Sequence, residues 1–242
     1  MAWGDYNNDG FMDLLLTGDP GDYNYISKIY KNNGDGTFTE QTGIQLIGVT
    51  RGAVAWGDYN NDGFLDILLT GYAKTGSISI IYKNNGEGNF IEQKGINLIP
   101  VEYSSVAWGD YNNDGRLDIL LSGNANYSDG GYISKIYKNN GDGTFSDQTN
   151  ALLSETQYGS VAWGDYNNDG YLDILLTGSS NLVKIYKNNG DGTFSDQTSI
   201  FLRKGTISGL GSWVDYNNDG FLDVFLIRES TYPYGGELTL FK

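Results

Sequence analysis

One hexapeptide, DYNNDG, occurs five times in this sequence, and its repetition constrains the fold more than any other feature. Each copy begins two residues after a tryptophan, and the tryptophans are 53, 52, 55 and 50 residues apart. Four copies continue into IYKNNG and a second glycine. Self-similarity at a fixed period of about 52 residues predicts a stack of one supersecondary unit, because such a unit cannot bury its apolar face alone. The five tryptophans are Trp3, Trp56, Trp108, Trp163 and Trp213.

Within each copy, apolar residues alternate or form short runs between Gly and Asn turns, which is the pattern of β-strands. We predict four antiparallel strands per copy: A (SVAWGD), B (LDILLTG), C (KIYK) and D (TFSDQ). Four such strands are typical of a propeller blade. The predicted fold is therefore an all-β, single-domain β-propeller over residues 1–242, with five blades and a last blade lacking its outer strand. The predicted repeats are approximately 1–48, 49–100, 101–153, 154–205 and 206–242.

Strand A and the B-to-C connections show two further patterns. Strand A alternates large Val and Trp with small Ala and Gly, so one blade is expected to fill a recess in its neighbour. The tryptophans are accordingly interpreted as packing residues and not as ligand contacts. Insertions concentrate in the B-to-C connections, which predicts one uniform and one diverse face of the disc.

Composition excludes several functions. The chain contains no His and no Cys, which excludes Ser-His and Cys-His nucleophilic couples, ordinary zinc sites and disulfides. A formal net charge of −15 opposes binding to nucleic acid or anionic lipid. No apolar stretch reaches the length of a membrane span, and no signal-peptide pattern is present. We therefore expect neither a nucleic-acid partner nor a membrane span.

The segment DYNNDGFLD places oxygen-bearing side chains at positions 1, 3, 5 and 9, with Gly at position 6 permitting a sharp turn. An all-oxygen set of three carboxylates and one amide matches Ca²⁺ best, with a backbone carbonyl from position 7. Leucine at position 12 excludes an EF-hand, which requires Glu there. About five Ca²⁺ ions, one per blade, are predicted. The predicted metal ligands are Asp5, Asn7, Asp9, Phe11 and Asp13; Asp58, Asn60, Asp62, Phe64 and Asp66; Asp110, Asn112, Asp114, Arg116 and Asp118; Asp165, Asn167, Asp169, Tyr171 and Asp173; and Asp215, Asn217, Asp219, Phe221 and Asp223.

The alternative is that Asp, Asn and Gly merely form tight turns here. Five copies with three carboxylates each favour the metal, because a turn gains nothing from clustered negative charge. At dissociation constants of about 10⁻⁴ to 10⁻³ M, roughly 1 mM calcium raises the free energy of unfolding by about 0.4 to 1.4 kcal/mol per site. Calcium is therefore predicted to be structural, in a secreted, periplasmic or cell-surface protein. The NNGDG segments are interpreted as C-to-D hairpin turns.

The sequences VAWGDYNNDGFLDILLTG and KIYKNNGDGTF resemble the FG-GAP or VCBS repeat of integrin-α-like β-propellers over essentially the whole chain. This resemblance implies calcium in the A-to-B loop, with Asp58, Asn60, Asp62 and Asp66 as the ligands of the second copy. It also implies ligand recognition by loops on the opposite face, in adhesion, in glycan binding or as a module of a larger extracellular protein or enzyme. The sequence departs from the family in having five copies where seven are usual.

These patterns favour a non-enzymatic binding module that recognises a glycan or protein through its B-to-C and D-to-A loops. Two alternatives remain: a repeat fragment or engineered scaffold without its own ligand, and a polysaccharide-active enzyme using paired carboxylates. The open edge of the last blade is available for self-association. The candidate ligand contacts are Tyr23, Tyr25, Arg51, Tyr72, Tyr103, Tyr127, Tyr132, Tyr158, Arg228, Tyr232 and Tyr234.

Overall fold

The computed structural model describes residues 1–125, 131–179, 182–198, 210–230 and 235–241. The described residues are organised as β-strands joined by turns, with one short 3-10 helix at Thr149–Ala151. No helix within these ranges has the length and apolar character needed to cross a bilayer. The predicted all-β fold class is confirmed.

The strands follow the sequence repeats, and each repeat is called a unit below. Unit 1 contains β1 (Ala2–Gly4), β2 (Asp13–Gly18), β3 (Ile26–Asn32) and β4 (Phe38–Glu40). Unit 2 contains β5 (Val54–Gly57), β6 (Asp66–Ala73), β7 (Gly76–Asn84) and β8 (Phe90–Glu92). Unit 3 contains β9 (Val101–Gly109), β10 (Asp118–Ala125), β11 (Gly131–Asn139) and β12 (Phe145–Asp147). Unit 4 contains β13 (Val161–Gly164), β14 (Asp173–Gly178), β15 (Leu182–Asn188) and β16 (Phe194–Asp196). The described strands of unit 5 are β17 (Gly211–Val214), β18 (Asp223–Ser230) and β19 (Gly235–Phe241).

Each unit is an antiparallel meander in which strands adjacent in sequence pair with one another. The second strand of every unit begins at the Asp in loop position 9, paired with the residue that follows the tryptophan, as in Gly57 opposite Asp66. Units 2 and 3 also join into one sheet, because Ile78 of the long strand β7 pairs with Val101 of the equally long β9. The predicted strands A to D thus correspond to the observed order in the first four units.

The apolar second strands supply most of the core, which lies between neighbouring units. Ile67, Leu68 and Leu69 of β6 are all fully buried, because one side of the strand faces unit 1 and the other faces unit 3. The fourth strands are short and largely exposed, as their polar sequences predict. Burial on both faces explains why the second strands show no polar alternation.

The tryptophans hold consecutive units together. Trp56 stacks on Tyr6 of the preceding unit with ring centroids 6.0 Å apart and planes 8° apart. The same pair recurs at each of the next three boundaries, where the planes are 5° to 10° apart. The ring also occupies the space beside a glycine of the preceding unit, since a Cβ on Gly4 would lie 2.7 Å from Trp56 Cδ1. The recess predicted from the sequence is therefore the space beside this glycine. A half-buried tryptophan of the next unit fills it at the boundary between units.

Candidate functional site

The DYNNDG loops have one conformation, fixed by their own side chains. In unit 1, the Asp9 amide donates to Asp5 Oδ1 and to Asn7 Oδ1, both at 3.0 Å, and the Gly10 amide donates to Asp5 Oδ2 at 2.8 Å. Asn8 adopts the left-handed region with φ of 57°. These bonds bring the side-chain oxygens of positions 1 and 3 onto the same backbone amide, and the equivalent bonds recur in the other four units.

The loops are also linked to one another. The Nδ2 group of Asn8 donates to the carbonyl oxygen of Gly63 in the next loop at 2.9 Å. The same bond, at 2.8 Å, connects loops 2 to 3, 3 to 4 and 4 to 5. The second Asn of the hexapeptide therefore joins neighbouring units, a role that sequence reasoning missed although this Asn occurs in all five copies.

The Asp at position 9 lies at the buried end of each loop. Asp66 is fully buried and accepts hydrogen bonds from the Asn84 amide at 2.8 Å and the Tyr59 amide at 3.3 Å. Burial raises the pKa of Asp66 and of Asp118 to about 7, and that of Asp173 to about 6. These carboxylates are thus held where a negative charge lacks solvation.

The Asp at position 5 faces a lysine that sequence reasoning also missed. Lys31 Nζ lies 3.0 Å from Asp9 Oδ2, and Lys83 lies 3.1 Å from Asp62. The hydrogen bond from Lys31 lowers the pKa of Asp9. Equivalent pairs occur in units 3 and 4, and the lysine is the one in each IYKNN segment. The available signal was that this lysine recurs in each IYKNN segment, although its distance from the loop varies.

The residues at position 7 pack over the C-to-D hairpin. A Cβ on Gly34 would lie 2.6 Å from the Phe11 ring, and Gly86 has the same relation to Phe64. Gly34 itself has φ of 76°, as expected for the predicted hairpin turn. In units 3 and 4 the covering side chains are Arg116 and Tyr171.

The side chains of the loops supply the types of donor that calcium requires. Each loop offers only oxygen donors, which suits a hard cation. In unit 3, Asp118 Oδ2 is buried and has no hydrogen bond of normal geometry among the described residues, which is unfavourable without a positive partner. In the part of the chain described, however, no three acidic side chains converge on one metal position. The donor types fit calcium, whereas the loops in this structure are closed by backbone amides and lysines.

A second group of predicted residues does come together. Tyr25, Arg51, Tyr72, Tyr103 and Tyr158, from four different units, form what we call the aromatic cluster. The Arg51 guanidinium lies 5.0 Å from the centre of the Tyr103 ring and 5.9 Å from that of Tyr72. The Tyr103 and Tyr158 rings are 4.2 Å apart, and those of Tyr25 and Tyr72 are 6.3 Å apart.

Backbone bonds between units position the cluster. Arg51, Tyr103 and Tyr158 each precede the tryptophan of their own unit by five residues. The Tyr103 amide donates to the Arg51 carbonyl, and the Tyr158 amide donates to the Tyr103 carbonyl at 3.2 Å. Thr50 exchanges two backbone hydrogen bonds with Tyr72, which places Tyr72 beside Arg51. Three consecutive units therefore present equivalent residues side by side.

The same three residues are conformationally strained. Arg51, Tyr103 and Tyr158 have φ of 53°, 48° and 54°, in the left-handed region that bulky residues seldom adopt. Each such residue costs roughly 1–2 kcal/mol relative to glycine, which tolerates this region. Strain of this kind concentrates at functional sites, where the surrounding structure maintains it.

Glu102 completes the polar part of the cluster. Its carboxylate lies 3.3 Å from the Arg51 guanidinium, and its side chain is only 15% exposed. A side-chain hydrogen bond with Tyr103 raises the pKa of Tyr158, whose ring remains half exposed. Sequence reasoning missed Glu102 because nothing in the sequence indicates that position 102 faces position 51.

The other candidate ligand contacts lie elsewhere or outside the described residues. Tyr23 is 77% exposed in the turn after β2, and Tyr132 is 45% exposed in β11. Three of the candidates fall outside the described ranges, and only the backbone of Arg228 is described, within β18. The three are Tyr127, Tyr232 and Tyr234.

The repeat was compared with known families. A model described as an FG-GAP-like repeat matches residues 5–69, 70–121, 122–176 and 167–226. The chain belongs to the FG-GAP-like repeat family. The resemblance stated from the sequence is thereby confirmed. A search of curated proteins returned no match.

A solved structure also resembles this FG-GAP-like repeat protein. It is a lectin of Agrocybe aegerita that specifically recognises non-reducing terminal N-acetylglucosamine. The two share 21% sequence identity and superpose with a TM-score of 0.59 over 98% of this chain. The chain spans 64% of the length of that lectin chain. At this identity the likeness concerns the fold, and with the family match it supports an all-β fold of the β-propeller type.

Proposed function

We propose that this FG-GAP-like repeat protein is a non-enzymatic module that binds a glycan at the aromatic cluster. The observation that carries the proposal is the set of three strained residues, Arg51, Tyr103 and Tyr158, which meet across three units. A purely architectural loop would be more stable with glycine at these positions. The strain is consistent with selection for the side chains themselves.

The chemistry of the cluster suits a sugar. Aromatic rings present apolar faces, while tyrosine hydroxyls and the Arg51–Glu102 pair offer donors and acceptors at their edges. A sugar ring has the same combination of apolar C–H faces and polar hydroxyls. The lectin with a similar fold recognises a terminal N-acetylglucosamine, which makes oligosaccharides ending in this sugar the first probes to use.

The test is a glycan array followed by calorimetry on Tyr158→Gly. Tyr158 is 51% exposed, so its removal relieves strain with little loss of burial. We expect binding to weaken at least about tenfold, equivalent to about 1.4 kcal/mol, while the melting temperature stays equal or rises. Tyr23→Gly is the matched control, because Tyr23 is also exposed with a positive φ but lies outside the cluster.

Three results would contradict the proposal. Absence of binding to any arrayed glycan would favour the architectural alternative. Equal losses of affinity in the Tyr158 and Tyr23 variants would locate the site elsewhere. Turnover of a polysaccharide would favour the enzymatic alternative.

We further propose that calcium binds in the DYNNDG loops, held in unit 2 by Asp58, Asn60, Asp62, Asp66 and the carbonyl of Phe64. Bound calcium would supply positive charge to carboxylates that are partly or fully buried, and five ions would change the formal charge from −15 to −5. Millimolar calcium is typical of extracellular settings. This proposal therefore places the protein outside the cytosol, as a secreted, periplasmic or cell-surface module.

Calorimetric titration tests the calcium proposal by counting sites. We expect a stoichiometry near five for the wild type and one fewer for Asp62→Asn. Asp22→Asn is the control, since Asp22 is exposed, lies outside the loops and has φ of 59°, which Asn tolerates. Identical titrations of the wild type and Asp62→Asn, or no heat at millimolar calcium, would refute the assignment.

A further inference from the structure

Every boundary between units joins two different faces. The face of a unit that receives the preceding unit is called the leading face, and the opposite one the trailing face. At the boundary of units 1 and 2, the leading face of unit 2 presents Trp56, Ile67 and Leu69. The trailing face of unit 1 presents Tyr6 and Leu15. Each internal boundary therefore specifies what covers a leading face: the trailing face of another unit.

In the part of the chain that the structure describes, the leading face of unit 1 is uncovered. Trp3 is 51% exposed, whereas the later tryptophans are half-buried against a tyrosine. Leu14 and Leu16 are partly exposed, although the equivalent Ile67 and Leu69 of unit 2 are fully buried. Three neighbouring side chains on or beside this face are also largely exposed. They are Met1, Met12 and Phe38.

The polar contacts of this face are equally incomplete. Asn84 of unit 2 is 1% exposed and donates through Nδ2 to the Tyr6 carbonyl of unit 1 at 2.9 Å. The equivalent residue of unit 1, Asn32, is partly exposed, and its Nδ2 group donates to the carbonyl of Met12 in its own unit. The face thus retains both the apolar and the polar elements of an internal boundary.

Among the described residues of unit 5, the trailing face is uncovered in the same way. Phe225 and Leu240 are partly exposed, although their counterparts in unit 4, Leu175 and Ile185, are at most 1% exposed. Ile227 on the same face is 45% exposed. The two end faces are therefore complementary in the way that the internal faces are.

We propose that the leading face of unit 1 binds the trailing face of unit 5 in a second copy of this chain. The contact repeats an internal boundary: Trp3 would occupy the place of Trp56, and Asn218 would face the Gly10 carbonyl as Asn8 faces Gly63. The association is head-to-tail, so it closes into a ring or continues as a filament according to the rotation between copies. It is independent of the proposed glycan site, which lies within one chain.

Charge modulates the association. A net charge of −15 per chain makes two copies repel at low ionic strength. Screening shortens the range of this repulsion to about 8 Å at 0.15 M salt. We therefore expect association to strengthen with added sodium chloride, whereas an interface dominated by ion pairs would weaken.

The test is light-scattering mass measurement on the full chain and two single variants. We expect the wild type to exceed the 26.6 kDa of one chain as concentration rises. Trp3→Asp removes only the leading face and Ile227→Asp only the trailing face, so each alone should remain at one chain. Mixing them leaves one intact face on each, and the mixture should form a species of two chains. Circular dichroism confirms that each variant is folded, and Ile91→Asp, at an exposed site in β8, serves as the control.

Each remaining outcome overturns the proposal. A wild type that stays at 26.6 kDa up to millimolar concentration shows that the faces do not bind each other. Dissociation by Trp3→Asp but not by Ile227→Asp indicates a symmetric contact between two leading faces. Dissociation by Ile91→Asp indicates association through another surface, as does failure of the mixture to form the two-chain species.

Discussion

Replacing Gly109 with alanine tests whether the boundary between units 3 and 4 depends on the space beside a glycine. A Cβ at this position would lie 2.5 Å from Trp163 Cδ1 and 2.9 Å from Cγ. The indole cannot retreat freely, because it stacks on Tyr111 at 5.9 Å and also contacts Phe194. The added methyl group therefore forces either the ring or the whole of unit 4 to move.

The expected cost follows from this overlap. Overpacking a well-packed interior typically costs about 1–3 kcal/mol. For a chain of this size, each kcal/mol lowers the melting temperature by about 2–4 °C. We therefore predict a fall of roughly 2–12 °C for Gly109→Ala. Movement of unit 4 would also separate Tyr158 from Tyr103, so binding at the aromatic cluster should weaken in parallel.

The assay is thermal and urea unfolding followed by circular dichroism, with Gly95→Ala as the matched control. A Cβ on Gly95 would meet nothing within 4 Å, and its φ lies outside the left-handed region. The control should be neutral or stabilised by up to about 1 kcal/mol. In a double-mutant cycle, Gly109→Ala should cost less in a Trp163→Ala background, because the ring atoms that the new Cβ would overlap are then absent. If the two alanine variants have equal stability, the glycine recess does not determine the packing of units.

Three further predictions concern the loops. In the presence of EGTA, the melting temperature should fall by about 5 °C or more as the pH rises from about 4 to 8. The reason is that burial raises the folded-state pKa values of Asp66, Asp118 and Asp173 from the ordinary 3.8 to about 6 to 7, so protonation favours the folded state. This stability is fully present below about pH 4 and is lost progressively as the pH rises through 6 to 7; a flat profile would contradict it. Saturating calcium should raise the melting temperature more at pH 8 than at pH 5, and equal increments would show that the metal does not interact with these carboxylates. Asn139→Ala should destabilise the protein by about 1–3 kcal/mol in urea, because it leaves the buried Tyr59 carbonyl without its donor at 2.8 Å; an unchanged midpoint would exclude this bridge as a stabilising contact.

The fold was largely predictable from the sequence because its information is local and repeated. Turn glycines and an apolar second strand appear in every copy. An ambiguous strand or turn in one copy can therefore be assigned from the same segment in the others. The glycine turn at Gly34 and the strand that begins at Asp66 lie where the pattern predicts. The predicted calcium ligands remain a proposal, because the loop carboxylates in this structure are bonded to backbone amides and lysines.

The site was predictable only as a set of residue types. Tyr25, Arg51 and Tyr72 were candidates because aromatic and basic residues occurred in variable loops, but so were Tyr23 and Tyr132, which lie apart from the cluster contacts described. Which of these candidates meet depends on how units are rotated about one another. That rotation is set by contacts between residues about 50 positions apart, such as Trp56 against Tyr6.

The sequence by itself determined the repeating unit, its strand order and the oxygen-rich loop, since each depends on residues that are close along the chain. Tertiary structure alone decided that the lysine of each IYKNN segment faces the loop and that Glu102 joins Arg51. It also decided that both end faces remain apolar and uncovered among the described residues. These outcomes arise from packing one unit on the next, where shape and burial select partners that no local pattern can specify.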